Sequence, residues 1–318
     1  NYYYSAHDAS RMLTEEISDS AEQDSTNRTK SIIEARLGLM EVSPDIIQEI
    51  SKINISIVVS HCESNIEWIK NYIGNNYSVK DITIYSKCGK NVEGLSALER
   101  LSPAVDVIKL PNVGRCDHTF AHWIKTHYEL IDEEKDGNDI VMFLKDNGRH
   151  EHQYLPIDVV FSHVSKTGFG CIVKPACSCG KEKCINDMLI PTMQHERKSL
   201  QSFSKTEHRR LRRDDNSDFV SKKYADLKSW EEDMGFIIPD SETMPICYRG
   251  LFVAQKRQFF NQPKMSWEQM ESSLSRGDNI VEGHYAERLW APILSDVDDE
   301  SARAVDKVLS QYAEKECS

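Results

Sequence analysis

Between residues 54 and 145 short apolar runs alternate with stretches of helical period. Ile55-Ser-Ile-Val-Val-Ser60 reads as a strand, and Glu63 to Tyr72 sets Ile66, Ile69 and Ile73 at helical spacing. Ile82-Thr-Ile-Tyr85 and Val105-Asp-Val-Ile-Lys-Leu110 read as a second and a third strand. Thr119 to Leu130 gathers Phe120, Ile124, His127 and Tyr128 on one side of a helix, and the fully apolar Ile140-Val-Met-Phe-Leu144 reads as a buried fourth strand. Strands alternating with helices predict an α/β domain with a mostly parallel central sheet flanked by helices. In such sheets ligands sit at the carboxyl ends of the strands, so the polar residues just after each strand are the candidates.

The flanks read differently. Residues 1–50 are polar, with one amphipathic stretch from Ser31 to Leu39, and are expected to form a stem or N-terminal collar. Past Leu155 the pattern loosens into a cysteine cluster, a charged segment from Gln194 to Asp218 and a helix-like Ser221 to Met234. An insertion over about 166–235 is predicted, inside a domain spanning 51–300. The core pattern resumes with Tyr248-Arg-Gly-Leu-Phe-Val-Ala254 as a strand, Trp267 to Leu274 as a helix and a helix from near Gly283. Ala302 to Glu314 predicts a last helix within 301–318.

Composition narrows the partners. With 51 acidic against 39 basic side chains in 318 residues the net charge is −12, which argues against a general grip on nucleic acid. The longest apolar runs, around Ile55 to Val59 and Phe236 to Ile238, fall far short of the ~20 residues a bilayer span needs. Membrane attachment is therefore expected only through an anchor preceding Asn1. Nine cysteines are many, and Cys171, Cys177, Cys179 and Cys184 crowd together without the paired spacing of a common zinc knuckle. Local disulfides among these four are expected, with zinc and free thiols as alternatives. Sequons stand at Asn27, Asn54 and Asn76. Together with the cysteines they favour a secretory compartment.

Several polar groups follow the strands. His61, Cys62 and Glu63 come directly after the first, as a nucleotide contact or a simple helix cap. Tyr85 and Lys87 follow the second, where a lysine can pair a phosphate or only be solvated. Leu110-Pro-Asn-Val-Gly-Arg115 ends the third and opens a helix with His118 and Thr119. Gly114, Arg115 and the exposed amides make a workable anion or diphosphate seat there, or a rigid turn with a structural ion pair. Asp146 closes the fourth strand, where a carboxylate holds a divalent metal or caps the strand, and His150 and His152 lie just beyond. His284 and Arg288 share a helical face, and Glu287 between them is a candidate base or a salt-bridge partner. Arg209-Arg-Leu-Arg-Arg213 reads as a solvated basic loop. The chain has neither a phosphate-loop signature nor a G-x-G-x-x-G fingerprint, which counts against ordinary ATPases and dinucleotide oxidoreductases.

Taken in order from about 54 to 295, these blocks resemble domain-of-unknown-function family 3431. They are Ser60 to Trp68, Ile84-Tyr-Ser-Lys87, Leu110-Pro-Asn-Val-Gly-Arg115 with His118-Thr119, Ile140 to Leu144, Arg249-Gly-Leu-Phe-Val-Ala254, and His284 with Glu287-Arg-Leu-Trp290. That family is similar to glycosyltransferases of the GT-A type, a Rossmann-like fold. The resemblance implies a hexosyl- or pentosyltransferase that takes a nucleoside-diphosphate sugar and a glycan or glycoprotein acceptor in the Golgi or another secretory lumen, or outside the cell. It further implies a nucleotide held by His61, Glu63, Tyr85, Lys87, Asn112, Arg115, His118 and Arg288. Manganese or magnesium would sit on Asp146 and His284, and Glu287 would act as base. The chain departs from the family pattern at Cys62-Glu-Ser-Asn65, where Tyr-Asn-Glu-Asp is usual, and at Lys145-Asp-Asn147 in place of Asp-x-Asp. A non-catalytic carbohydrate- or protein-binding domain on a degenerate transferase fold, and a hydrolase using Asp146 and Glu287, are the competing readings.

Overall fold

The computed structural model describes residues 53–74, 76–148, 154–173, 193–196, 219, 221–238 and 243–295. The expected stem, the basic loop 209–213, the last helix, His150, His152 and the cysteines at 177, 179 and 184 lie outside them.

The elements run β1 (Ile55–His61), α1 (Trp68–Ile73), β2 (Val79–Ser86), α2 (Leu95–Glu99), β3 (Val105–Lys109), α3 (Arg115–His127), α4 (Glu133–Asp136) and β4 (Ile140–Lys145). They continue with α5 (Ile157–Thr167), β5 (Phe169–Cys171), β6 (Met193–Glu196), α6 (Leu227–Met234) and β7 (Thr243–Pro245). A 3-10 turn at Tyr248–Gly250, β8 (Phe252–Gln255), a second 3-10 segment (Lys256–Asn261), α7 (Lys264–Leu274) and α8 (Val281–Leu294) complete the described residues.

The six-stranded sheet has the order β3-β2-β1-β4-β8-β5, and β6 pairs with β7 in a separate ribbon. The expectation of a mostly parallel sheet holds for β3, β2, β1 and β4 only; β8 lies antiparallel to both β4 and β5, so the sheet is mixed. Hydrophobic periodicity reports burial and not strand direction, which is why the two antiparallel pairings were not legible. All seven residues of β1 are buried, as a central strand covered on both faces requires. From β1 the chain steps to β2 and β3 on one side, then crosses to β4 on the other. Right-handed crossovers place α1 and α2 on one face and α3 on the opposite one. The switch point between β1 and β4 is where such sheets open a crevice.

Phe120 of α3 packs on Phe143 of β4, Phe252 of β8 and Trp290 of α8, and Trp290 stacks on Trp267 of α7. This aromatic layer fixes α3, α7 and α8 as one slab, each ring contact adding about 0.5–1.5 kcal/mol beyond area burial. The expected insertion begins inside the core: Phe169–Cys171 is an edge strand of the sheet, and α6 buries Leu227, Trp230 and Met234. Cys171 is bridged to Cys247, 76 residues on, so its expected partner within the cluster is corrected. A second bridge joins Cys62 to Cys88. No helix among the described residues is long and apolar enough to cross a membrane.

Candidate functional site

The loops after β1 and β4 are bound together by one carboxylate. Asp146 Oδ2 accepts hydrogen bonds from the successive amides of Cys62, Glu63 and Ser64 at 2.8, 2.8 and 2.9 Å. This nest turns the segment after β1 away from helix, so α1 starts at Trp68 and not near Glu63. Trp68 Nε1 donates to the Asp146 carbonyl at 3.0 Å, and the Cys62–Cys88 bridge ties the same loop to the one after β2. Beside it opens a cleft of about 450 Å³ lined by Ser64, Asn65, Glu67, Trp68, Asn71, Asn147 and Gly148.

Across the switch point stands the start of α3. Gly114 and Arg115 both adopt left-handed backbone, φ 57° and 54°. Gly114 donates its amide to the Gly277 carbonyl at 2.6 Å, and a Cβ there would come within 2.5 Å of the Leu274 carbonyl, so only glycine fits. Arg115 is held in its uncommon conformation by Lys87, whose buried ammonium donates to the carbonyls of Val113 (2.5 Å) and Arg115. Burial pulls the Lys87 ammonium below its ordinary pKa, against the attraction of Cys116, Asp278 and Asp117. Lys87 thus shapes the turn, its donors directed at backbone.

Glu287 of α8 is the hub. Its Oε1 accepts the Arg249 amide at 2.6 Å, and its Oε2 lies 3.8 Å from Arg115 Nη1, 3.9 Å from Arg288 Nη1 and 4.0 Å from His284 Nδ1. Arg115 Nη1 and His284 Nδ1 are 3.0 Å apart. A guanidinium can only donate, so Nδ1 accepts and the neutral ring carries its proton on Nε2. Arg288 Nη1 donates to the His284 carbonyl at 2.6 Å. Arg249 is itself left-handed, φ 74°, and its Nη1 is buried without a hydrogen-bond partner among the described residues. Burial works against the Arg115 charge, but Glu287 and Asp117 hold its pKa above the ordinary value. Asp117 is buried and accepts Trp290 Nε1–H at 2.8 Å; burial pushes its carboxyl up to about 6 against the pull of Arg115. Lys145, at the end of β4, also draws the Asp117 pKa down. Burial and the Asp117 charge push the neighbouring Cys116 thiol up to about 12.

The other expected site residues are scattered around this hub. Glu63 and Asn112 are exposed. His61 is buried, with neither ring nitrogen hydrogen-bonded to a described residue. Tyr85 is buried against His122 of α3, ring centroids 5.5 Å apart, and burial pushes its phenol up to about 12. His118 is buried, its ring stacked on His122 at 6.2 Å, and burial together with Lys87 brings its pKa down to about 4.

Neither Asp146 Oδ2 nor His284 Nδ1 is open to a divalent ion in this arrangement. Three amides converge on Asp146 Oδ2, and His284 Nδ1 faces a guanidinium, which repels a cation. Among the described residues no group of three or more His, Cys, Asp or Glu is arranged to hold a metal.

Arg249 and Lys145 are not among the site residues expected from sequence, and neither is the Cys62–Cys88 bridge. The register His61↔Ser86 between adjacent parallel strands brings those two cysteines together, and the signal for it was the pair of strands directly preceding them. Comparison with known protein families, curated proteins and solved structures gave no match.

Proposed function

We propose that this domain is a glycosyltransferase of a secretory lumen, binding a nucleoside-diphosphate sugar at the carboxyl edge of its parallel strands. One observation carries the reading. Three blocks of the family resemblance far apart in sequence, Asn112–Arg115, Arg249–Ala254 and His284–Trp290, meet through Arg115, Arg249 and Glu287, with Asp117 on Trp290. Two guanidinium groups beside Glu287, those of Arg115 and Arg288, favour an anion with several oxygens, and a diphosphate offers them. In this reading Arg115 and Arg288 neutralise the departing diphosphate, the chief electrostatic demand of glycosyl transfer. Glu287 positions those cations, and the cleft beside Asn65, Trp68 and Asn147 receives a neutral polyhydroxyl portion of donor or acceptor. The two disulfides suit an oxidising compartment.

A second reading, a carbohydrate- or protein-binding domain without turnover, is favoured by Lys87 and Asp146, whose charged groups are directed at backbone. Incubation with a panel of nucleoside-diphosphate sugars and glycoprotein acceptors, followed by chromatography for released nucleoside diphosphate, separates the two. Consumption of one donor supports the transferase; nucleotide binding with no donor consumed supports the second reading. The hydrolase pair gains nothing from the geometry, since Asp146 braces a loop.

A further inference from the structure

The two sequons among the described residues sit side by side at the amino edge of the sheet, where Ile55 N–H donates to the Ser78 carbonyl at 3.1 Å. Their environments differ. Asn54 is exposed, but it donates both its backbone amide and its Nδ2 to Asp139, at 3.2 and 3.3 Å. The hydroxyl residue of that sequon, Ser56, is 1% exposed inside β1 and donates to Asp81 Oδ2 at 3.1 Å. Asn76 and Ser78 are both exposed in the turn between α1 and β2. Tyr77 between them is buried, edge-on to Phe161 at 4.8 Å with its hydroxyl on Asp158, so the turn is pinned from beneath. An N-linked glycan is bulky and stands on the surface, so a folded turn that leaves both the Asn amide and the Ser hydroxyl free accommodates it best.

We infer that Asn76 carries an N-linked glycan and that Asn54 does not. The inference rests on the secretory half of the proposed function and not on transfer activity. The Asn76 amide nitrogen attacks the anomeric carbon of a lipid-diphosphate-linked oligosaccharide. The C–N bond forms, the C–O bond to the diphosphate breaks with its electron pair leaving on the lipid diphosphate, and the nitrogen gives up one proton. β2 is eight residues long, so at about 3.3 Å per residue the glycan stands some 25 Å from the carboxyl edge and leaves the candidate site open.

The test directs the full chain into a eukaryotic secretory lumen with an added leader, which makes the result independent of the native compartment and of activity. Peptide-N-glycosidase treatment in heavy-oxygen water converts a glycosylated Asn to labelled Asp. Labelled Asp at position 76 and unlabelled Asn at position 54 are expected. N76Q should lose one glycan's worth of gel mobility shift, and N54Q should lose none. Unlabelled Asn76 in secreted protein with both disulfides formed, or label at Asn54 in its place, overturns the inference.

Discussion

Asp117 is a buried carboxylate at the centre of the candidate site, and Asp117→Asn isolates what its charge does to the fold. The folded carboxyl, raised by burial from the ordinary 3.8 to about 6, binds its proton more tightly than in the unfolded chain. The native state therefore holds more protons than the unfolded state between those two values, and stability falls as pH rises through that window. At 1.36 kcal/mol per pH unit the loss comes to about 3 kcal/mol, complete above pH 6 and absent below pH 4. Asn is neutral, and its carbonyl oxygen can still accept the Trp290 indole N–H. D117N should therefore match wild type near pH 4 and exceed it by about 3 kcal/mol at pH 8. Urea denaturation followed by tryptophan fluorescence across this range measures the difference directly. A variant less stable than wild type at pH 8 would refute the reasoning, because attraction to Arg115 would then outweigh burial.

Lys87→Met keeps the buried stem but removes the ammonium from the Val113 and Arg115 carbonyls. It should cost about 2 kcal/mol in urea and weaken diphosphate binding through the displaced Arg115 turn; unchanged affinity would show that the turn holds itself. Replacing both Cys171 and Cys247 by Ala opens a connection of 76 residues and should destabilise by about 4 kcal/mol, read in chemical denaturation. Glu287→Gln retains an acceptor for the Arg249 amide but takes its charge away from Arg115, Arg288 and His284. Pyrophosphate should bind this variant more tightly than wild type by calorimetry, and equal affinity with the fold intact would place Glu287 outside the seat.

The parallel half of the fold was legible because β1, β4 and the helices between them carry apolar periods that burial alone explains. Where tertiary contacts override local pattern, the reading shifted. The Asp146 nest delayed α1, and the left-handed Arg249 turned the expected start of β8 into a 3-10 turn. Cysteine pairing depends on which strands become neighbours, so Cys171 could not be matched to Cys247 from spacing. At the site, Arg115, His284, Glu287 and Arg288 were named and do converge. Lys87, Asp146 and Tyr85 follow strands in the same way but turn inward, and a strand-end position alone does not say whether backbone groups wait there to engage the side chain. Arg249 was missed because its part comes from its backbone amide reaching Glu287, a group that every residue except proline carries.

The central claim is that Arg115 and Arg288 beside Glu287 seat a diphosphate, and calorimetric titration of nucleoside diphosphates into wild-type and Arg115→Ala protein tests it most directly. At least one nucleoside diphosphate should bind wild type, with affinity falling as salt rises. R115A should weaken it by about 10- to 150-fold, the equivalent of one lost charged hydrogen bond of about 1.5–3 kcal/mol. Unchanged affinity in a folded R115A, or no binding by any nucleoside diphosphate to the wild type, would contradict the account.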